Sequence, residues 1–427
     1  MRKSLAKPRT GTVAILDIGS TKICCLIARI GETGTRVEHH AGNTPGFPGI
    51  RVFGIGHQVA RGIRSGIVID MDEAEECIRT AVHAAEKMAD ETIQRVFVNL
   101  SGGYPHSQTV GVEVSIGGQE VGDSDIRRVL SQWPKVEANS QLIHSIPVGF
   151  SIDGNRGIRD PRGMRGDRLG ANMHLVTATS NVVRNITSVV ERCHLGIEAF
   201  VVSPYAAGLS CLVEDERDLG VTVIDMGGGT TTMAVFFDGS VIYTDCVSVG
   251  GAHITSDIAR GLATPLREAE RLKTLYGSAI PSSLDEREVI NVPLVGEQDE
   301  DHPNYVPKSL LIRIIHPRIE ETFELVRNRL EASGFDKVAS RRVVITGGAS
   351  QMPGVRDLAQ EILDKQVRLG RPIRVNGLAD VASGPAFATS AGLLAFAADQ
   401  ALDASRQGHV ANRETGGGLF GRVGSWL

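Results

Sequence analysis

Two short apolar runs, VAILDI at residues 13–18 and VTVIDM at 221–226, each carry an aspartate next to last and are followed at once by glycine. The first continues as GSTKICCLIARI and the second as GGGTTTMAVFFDG. Both read as strand, Gly/Ser/Thr turn and strand, which is a β-hairpin and not a strand entering a helix. One device used once in each half predicts two similar half-molecules, although the residues around it repeat at no shorter period. A third glycine turn, TGGASQMPG at 346–354, follows the apolar run RVVIT.

The rest of the chain supplies an α/β setting. At 427 residues, with 41% apolar and 22% charged, it is long enough for about three domains or subdomains. Residues 70–89 predict a helix: Asp70 and Glu73 have the spacing of an N-terminal cap, and Ala74, Cys77, Ile78, Ala81, Val82, Ala85 and Met88 share a face. Residues 95–171 differ, with short strands, a short helix near 123–131 and the stretch DGNRGIRDPRGMRGDRLG. They predict a small inserted α+β unit ending in a long loop. The strand HLVTATS (174–180) and a helix over 181–196 resume the α/β pattern. Residues 254–277 read as mostly helical despite Pro265, and 281–307 as loop. A helix over 316–334 has Ile319, Phe323, Val326 and Leu330 on one face and Gly334 as its stop. Residues 385–398 predict a buried helix of small residues, and 399–418 a polar linker.

A tight glycine turn exposes successive backbone N–H groups, which form an anion site without a cationic side chain. Small residues let a phosphate approach the backbone. The candidate nucleotide contacts are Gly19, Ser20, Thr21 and Lys22 in the first turn, Gly227, Gly228, Gly229, Thr230 and Thr231 in the second, and Gly347, Gly348 and Ala349 in the third. Asp17 and Asp225 suit a magnesium ion held through water, since Mg²⁺ favours few carboxylates plus phosphate oxygens. Lys22 adds a point charge. The chain has no GxxxxGK[ST] loop, and GGGLFG at 416–421 meets the dinucleotide glycine pattern without a preceding strand. It has no [NT]KxD guanine-reading motif, which favours adenine.

The three turns, in this order, resemble the phosphate-1, phosphate-2 and adenosine motifs of actin-like ATPases. With GIVIDMDEA (66–74), SDIARGLATPLREAERLK (256–273), HPRIEETFELVR (316–327) and the apolar tail, nearly the whole chain from 11 to 427 is similar to the FtsA family of bacterial cell-division proteins. The resemblance implies an actin-like, two-lobed α/β fold with a duplicated core and an FtsA-type small subdomain inserted in the first lobe. On that plan 11–96, 172–217 and 385–400 form the first lobe and 97–171 the insert. Residues 218–247 and 327–384 form the second lobe, 248–326 its small subdomain, 401–418 a linker and 419–427 a terminal helix. ATP and Mg²⁺ are implied in the cleft, with Glu270 and Lys273, three apart on one helix face, beside the adenosine.

In similar ATPases a Gln or Glu positions the attacking water, in the segment that matches 197–212 here. The PYAAG anchor puts that position on Ala199, with Glu198 as its neighbour. An alanine orients no water. Asp225 and, with a one-residue shift of register, Glu198 are the catalytic candidates, and ATP hydrolysis is expected to be weak or absent. The alternative is a sugar or carboxylate kinase of the same superfamily, which needs a further carboxylate aimed at a substrate hydroxyl.

In LFGRVGSWL, Leu419, Phe420, Val423, Trp426 and Leu427 form one apolar stripe on a helical wheel. So short a segment folds only against a bilayer or a protein groove. The resemblance makes it an amphipathic membrane-targeting helix, and implies a peripheral protein on the cytoplasmic face of the cell membrane at the division site. The implied partners are the C-terminal tail of the division tubulin FtsZ, other divisome proteins, and further copies of the chain in head-to-tail filaments. Arg318, in the HPR segment, is the candidate contact for an acidic partner. A formal net charge of −5 leaves no basic surplus for nucleic acid, and the scattered cysteines, without CxxC spacing, fit a reducing compartment.

Overall fold

A computed structural model describes residues 11–31, 50–132, 137–296, 304–338, 341–373, 375 and 382–414. β1 (Gly11–Ile18) turns back antiparallel into β2 (Lys22–Ile30), which pairs antiparallel with β3 (Ile50–Val59). The short strands β4 (Ile63–Arg64) and β5 (Ile67–Val68) lead into α1 (Met71–Ala89). Asp70 caps this helix, its carboxylate accepting from the amides of Asp72 and Glu73 at 3.0 Å each. The buried stripe runs from Ala74 to Ala85 as expected, but Met88 is 60% exposed. The 3.6-residue period hands the inward place to Ala89 instead. β6 (Arg95–Leu100) then lies parallel to β1.

The insert follows as β7 (His106–Ser115), α2 (Asp123–Leu130), β8 (Ser140–Ile152), β9 (Asn155–Ile158) and β10 (Arg168–Thr179). Its sheet has the order β7-β10-β8-β9, with Ile126 and Val129 of α2 packed on Val114, Ile152, Leu169 and Leu175. The edges expected at 97 and 171 both fall inside strands, since 97–100 belong to β6 and β10 runs on to Thr179. The stretch expected as a long loop holds β9 and the start of β10, and Arg162 pins the turn between them to Asp123 at 2.7 Å and Asp160 at 2.9 Å.

Two buried histidines mark this unit. The Val202 amide donates to His144 Nε2 at 3.1 Å, tying β8 to the first lobe, and among the described residues neither ring nitrogen of His174 has a partner. Burial pushes His174 down to about 4; burial and then the charge of His174 push His144 down to about 3. Values below the unfolded one, near 6.5, mean that this stability is complete above about pH 6.5 and is lost as pH falls toward 4. We expect urea denaturation to show stability falling by up to about 1.4 kcal/mol per pH unit per histidine across that window. His174→Leu should remove one histidine's share; an unchanged pH slope would refute the buried-neutral assignment.

The first lobe resumes with α3 (Ser180–Arg192) and β11 (Gly196–Val202), which lies parallel to β6 and completes a sheet of order β11-β6-β1-β2-β3. The chain continues through α4 (Ser203–Cys211), α5 (Glu214–Leu219), β12 (Val221–Met226), β13 (Thr231–Phe237) and β14 (Ser240–Val247). Then come α6 (Gly251–Gly261), α7 (Leu266–Tyr276), β15 (Val289–Asn291), β16 (Tyr305–Pro307) and α8 (Lys308–Ser333). β17 (Arg342–Thr346), α9 (Val355–Leu363), β18 (Gln366–Leu369) and α10 (Ala388–Glu414) end the described elements. The second sheet has the order β14-β13-β12-β17-β18, with β12 antiparallel to β13 and parallel to β17. Read outward from its hairpin, each lobe repeats one plan: a three-strand antiparallel meander, then two parallel strands.

Both central hairpins are buried on two faces, as such sheets require. Leu16 and Ile18 of β1 pack toward α1 and α3, while Ile15 packs toward Leu393 and Leu394 of α10. Ile224 and Met226 of β12 pack toward α6, α8 and α9, while Val221 and Val223 meet Ala207 and Leu212, at and just beyond α4. α4 and α10 therefore form the layer between the two sheets.

Three further expectations change. The helix expected over 254–277 is two helices, broken where Ala263 takes φ 46° and Pro265 offers no amide. α8 begins at Lys308 instead of 316 and accommodates Pro317, running unbroken across the expected boundary at 326; Gly334 ends it at φ 75° as expected. α10 continues to Glu414 through most of the expected linker, since Ala, Leu, Gln and Arg are good helix formers even in a polar sequence. Among the described residues no helix is long and apolar enough to cross a membrane.

Candidate functional site

Asp17 and Asp225 stand at corresponding places, next to last in β1 and β12. Each strand then closes through the same tight turn: the Gly19 amide donates to the Lys22 carbonyl and the Gly227 amide to the Thr230 carbonyl, both at 2.9 Å. The two turns face each other across the lobes. The third turn meets them because Gly347 takes φ 88°, where a Cβ would lie 2.4 Å from Asp225 Oδ1 and 2.4 Å from the Met226 carbonyl. Only glycine fits there.

Together the three turns line a cavity of about 170 Å³. Its walls include Asp17, Gly19 to Lys22, Asp225, Gly227 to Thr230, Gly347 and Gly348. Most of the residues expected to contact a nucleotide are thus brought together. Thr231 begins β13 and donates to the Val249 carbonyl, bracing the second turn from behind. Ala349 lies beside Gly251, outside that lining. A larger depression of about 380 Å³ between α9 and β18 is open, and its charged residues, among them Arg341, Asp357 and Lys365, are not buried.

The electrostatics are unusual for two carboxylates so placed. Burial raises Asp17, against the nearby Lys22 charge and a hydrogen bond from Ser390. Burial raises Asp225 to about 6, opposed by a hydrogen bond from Thr389 and reinforced by the Asp17 charge. Lys22 is turned to the Ala386 carbonyl and lies 3.6 Å from the centre of the Phe387 ring. Among the described residues the amides of Ser20, Thr21, Gly228 and Gly229 have no protein acceptor. The Thr232 hydroxyl, buried in the same wall, has no partner either. Unsatisfied donors beside two close carboxylates are what an anion bridged by a divalent cation would complete. No group of three or more His, Cys, Asp or Glu gathers elsewhere among the described residues as a metal site.

Lys273 and Glu270 lie behind the second turn. Lys273 Nζ donates to Glu270 Oε2 at 2.6 Å, to Thr255 Oγ1 at 2.9 Å and to the Gly251 carbonyl at 3.1 Å. The Gly251 amide in turn donates to the Gly227 carbonyl at 3.0 Å, so this pair supports the turn from outside the cavity lining.

Two of the expected residues are engaged away from the cleft. Glu198 does sit at a β-bulge between Ile197 and Ala199, the shift of register that was required. Its carboxylate nevertheless pairs with Arg95 at 2.5 Å, at the start of β6. At about 3.3 Å per residue it stands roughly 16 Å down β11 from Ser203, which lines the cavity. It cannot act there as a base. Arg318 is already engaged, through Nε to Asp257 Oδ2 at 2.5 Å, through Nη2 to Asp257 Oδ1 at 3.2 Å and through Nη1 to Glu321. It braces α8 against α6, and one N–H on each of Nη1 and Nη2 makes no bond among the described residues. Leu419, Phe420, Val423, Trp426 and Leu427 lie outside the described residues.

Sequence reading missed several wall residues. Asn99 Oδ1 accepts from the Ile18 amide at 2.6 Å, and its Nδ2 donates to Ser203 Oγ at 3.2 Å, so a side chain continues the ladder where β1 and β6 part. Thr232 was findable, because in a hairpin closed at Gly227 it falls opposite Asp225. Thr389, and Ser390 behind Asp17, were not, since they begin a distant helix.

A family model described as "Cell division protein FtsA" matches residues 222–392, and one described as "SHS2 domain inserted in FTSA" matches 102–177. The cell division protein FtsA of Rhizobium meliloti (strain 1021) is 45% identical over 432 residues, covering 100% of this chain and 96% of the relative. The chain belongs to the FtsA family. The FtsA of Escherichia coli (strain K12) is 32% identical over 421 residues, 96% of each chain. Among solved structures, the PilM-PilN type IV pilus biogenesis complex matches with a TM-score of 0.61 at 15% identity, covering 92% of this chain and 99% of that one. MreB5 of Spiroplasma citri bound to ADP matches with a TM-score of 0.52 at 14% identity, covering 91% and 97%. Identities so low speak for the fold alone, and that fold is the two-lobed actin-like one. FtsA proteins are cell-division proteins, so the small-molecule kinase alternative is set aside.

Proposed function

We propose that this FtsA-family chain binds ATP with Mg²⁺ in the cleft and links FtsZ filaments to the cytoplasmic membrane at the division site. The observation that carries the nucleotide half is the convergence of two carboxylate-bearing hairpin turns and a glycine turn on one cavity. The cavity, about 170 Å³, is smaller than the roughly 300–1,000 Å³ of a whole small-molecule site, and it suits the phosphate end. The amides of Ser20, Thr21, Gly228 and Gly229 would hold phosphate oxygens, and Asp17 and Asp225 a magnesium ion through water. Bound there, the ion would neutralise phosphate charge. Glu270 and Lys273, beyond the cavity lining, would be the contacts for the adenosine on this reading.

Little in the wall would speed hydrolysis. Its ionisable groups are Asp17, Lys22 and Asp225, while Asn99, Ser203 and Thr232 are neutral and serve at most to orient a water. A nucleotide-dependent scaffold with slow turnover fits this set. Peripheral attachment rests on the apolar stripe of residues 419–427, and weak single anchors gain avidity when copies assemble head to tail. Self-assembly and contacts with FtsZ and other divisome proteins belong to the same proposal.

One preparation tests both halves. A fluorescent ATP analogue should bind saturably with Mg²⁺, and the full chain should sediment with vesicles of anionic lipid. Phe420→Ser with Trp426→Ser should abolish sedimentation and leave nucleotide affinity unchanged. Equal sedimentation of that variant would remove the tail anchor, and no saturable uptake would remove the nucleotide site.

A further inference from the structure

The start of α10 and the residues just before it meet three charged groups of the cleft. Ser390 Oγ donates to Asp17 Oδ2 at 2.6 Å, Thr389 Oγ1 donates to Asp225 Oδ2 at 2.8 Å, and the Lys22 ammonium reaches the Ala386 carbonyl. Thr389 and Ser390 are both buried. Each hydroxyl takes one oxygen of its aspartate, and among the described residues the other, Oδ1, accepts no hydrogen bond. Two adjacent side chains of one helix therefore hold carboxylates from two different lobes at a fixed separation. In a buried site a donor to a carboxylate both stabilises its charge and sets its plane. A methyl group of the same size would pack equally well and do neither.

We propose that Thr389 and Ser390 are positioning residues, which fix Asp17 and Asp225 so that their remaining oxygens face one divalent cation. The assignment rests on the nucleotide reading above. Thr389 lines the cavity beside Asp225 and Ser390 lies behind Asp17, so both hydroxyls act through the aspartates, as outer partners of metal-binding groups do. Because the donors come from α10, the geometry of the cation site depends on this helix keeping its place between the lobes.

The test uses the full chain and a fluorescent ADP analogue, titrated once with Mg²⁺ and once in EDTA. In Thr389→Val with Ser390→Ala, the gain in affinity that Mg²⁺ confers should fall by about tenfold or more. Affinity in EDTA should stay near that of the parent. Thr389→Ser, which keeps a hydroxyl, should retain most of the gain. A Mg²⁺ gain unchanged in the double variant would overturn the assignment. Equal losses in both buffers would overturn it too, since a merely structural role predicts them. Should the double variant not fold, Thr389→Val and Ser390→Ala singly carry the same comparison. A parent that binds no nucleotide in either buffer would overturn the nucleotide reading and this assignment with it, a result distinct from the other two.

Discussion

Replacing Gly392 by alanine should cost about 3 kcal/mol or more of folding stability. A Cβ at that position would lie 1.7 Å from the Ala206 carbonyl oxygen and 2.2 Å from its carbon. Both atoms are backbone, inside α4, so no rotamer change relieves the overlap. Ordinary contact needs roughly 3.5 Å, so the two helices must part by more than an ångström. These helices carry Ser203, Thr389 and Ser390 and fill the space between the sheets, so parting them also loosens the cleft. Thermal or urea unfolding checks this. Gly149→Ala is the control, because a Cβ there meets nothing within 4 Å. A Gly392→Ala protein as stable as the control would refute the close helix contact.

Asp225→Asn should lower Mg²⁺-dependent ATP affinity by about 100-fold or more, because it neutralises one of the two carboxylates, among the described residues, that line the proposed cation site. The same change should leave the nucleotide-free protein at least as stable as the parent. The sign follows from Asp225 titrating at about 6, above its ordinary value, mainly through burial. Its stabilising contribution is complete below about pH 4 and is lost as pH rises through 6, so at pH 7.5 the ionised carboxylate is a net cost. The stability difference between variant and parent should close toward pH 4. A loss of affinity with a gain in stability marks a residue kept for a ligand. Unchanged affinity would show that Asp225 holds no cation.

The elements most legible in the sequence were those decided by neighbouring residues. Asp70 capped α1 as read, because its acceptor needs only the amides two and three residues on. Both hairpins closed as read, because glycine after an apolar strand admits the tight turn. Boundaries set by partners elsewhere were less legible. Residues 168–179 read as loop, then strand; they form one strand because β7 and β8 flank them along their length. Glu198 and Arg318 looked available for function, and each is bound to a residue far away in sequence, Arg95 and Asp257.

By itself, then, the order of amino acids determined the duplicated hairpins, the three glycine turns and the two carboxylates at strand ends. Local backbone sterics and short-range hydrogen bonds suffice for these. Only the tertiary structure decided what those carboxylates touch. Ser390 and Thr389 reach Asp17 and Asp225 from a helix more than a hundred residues further along the chain. No periodicity or spacing encodes that meeting, because it arises when the packing of α4 against α10 brings two lobes around one cleft.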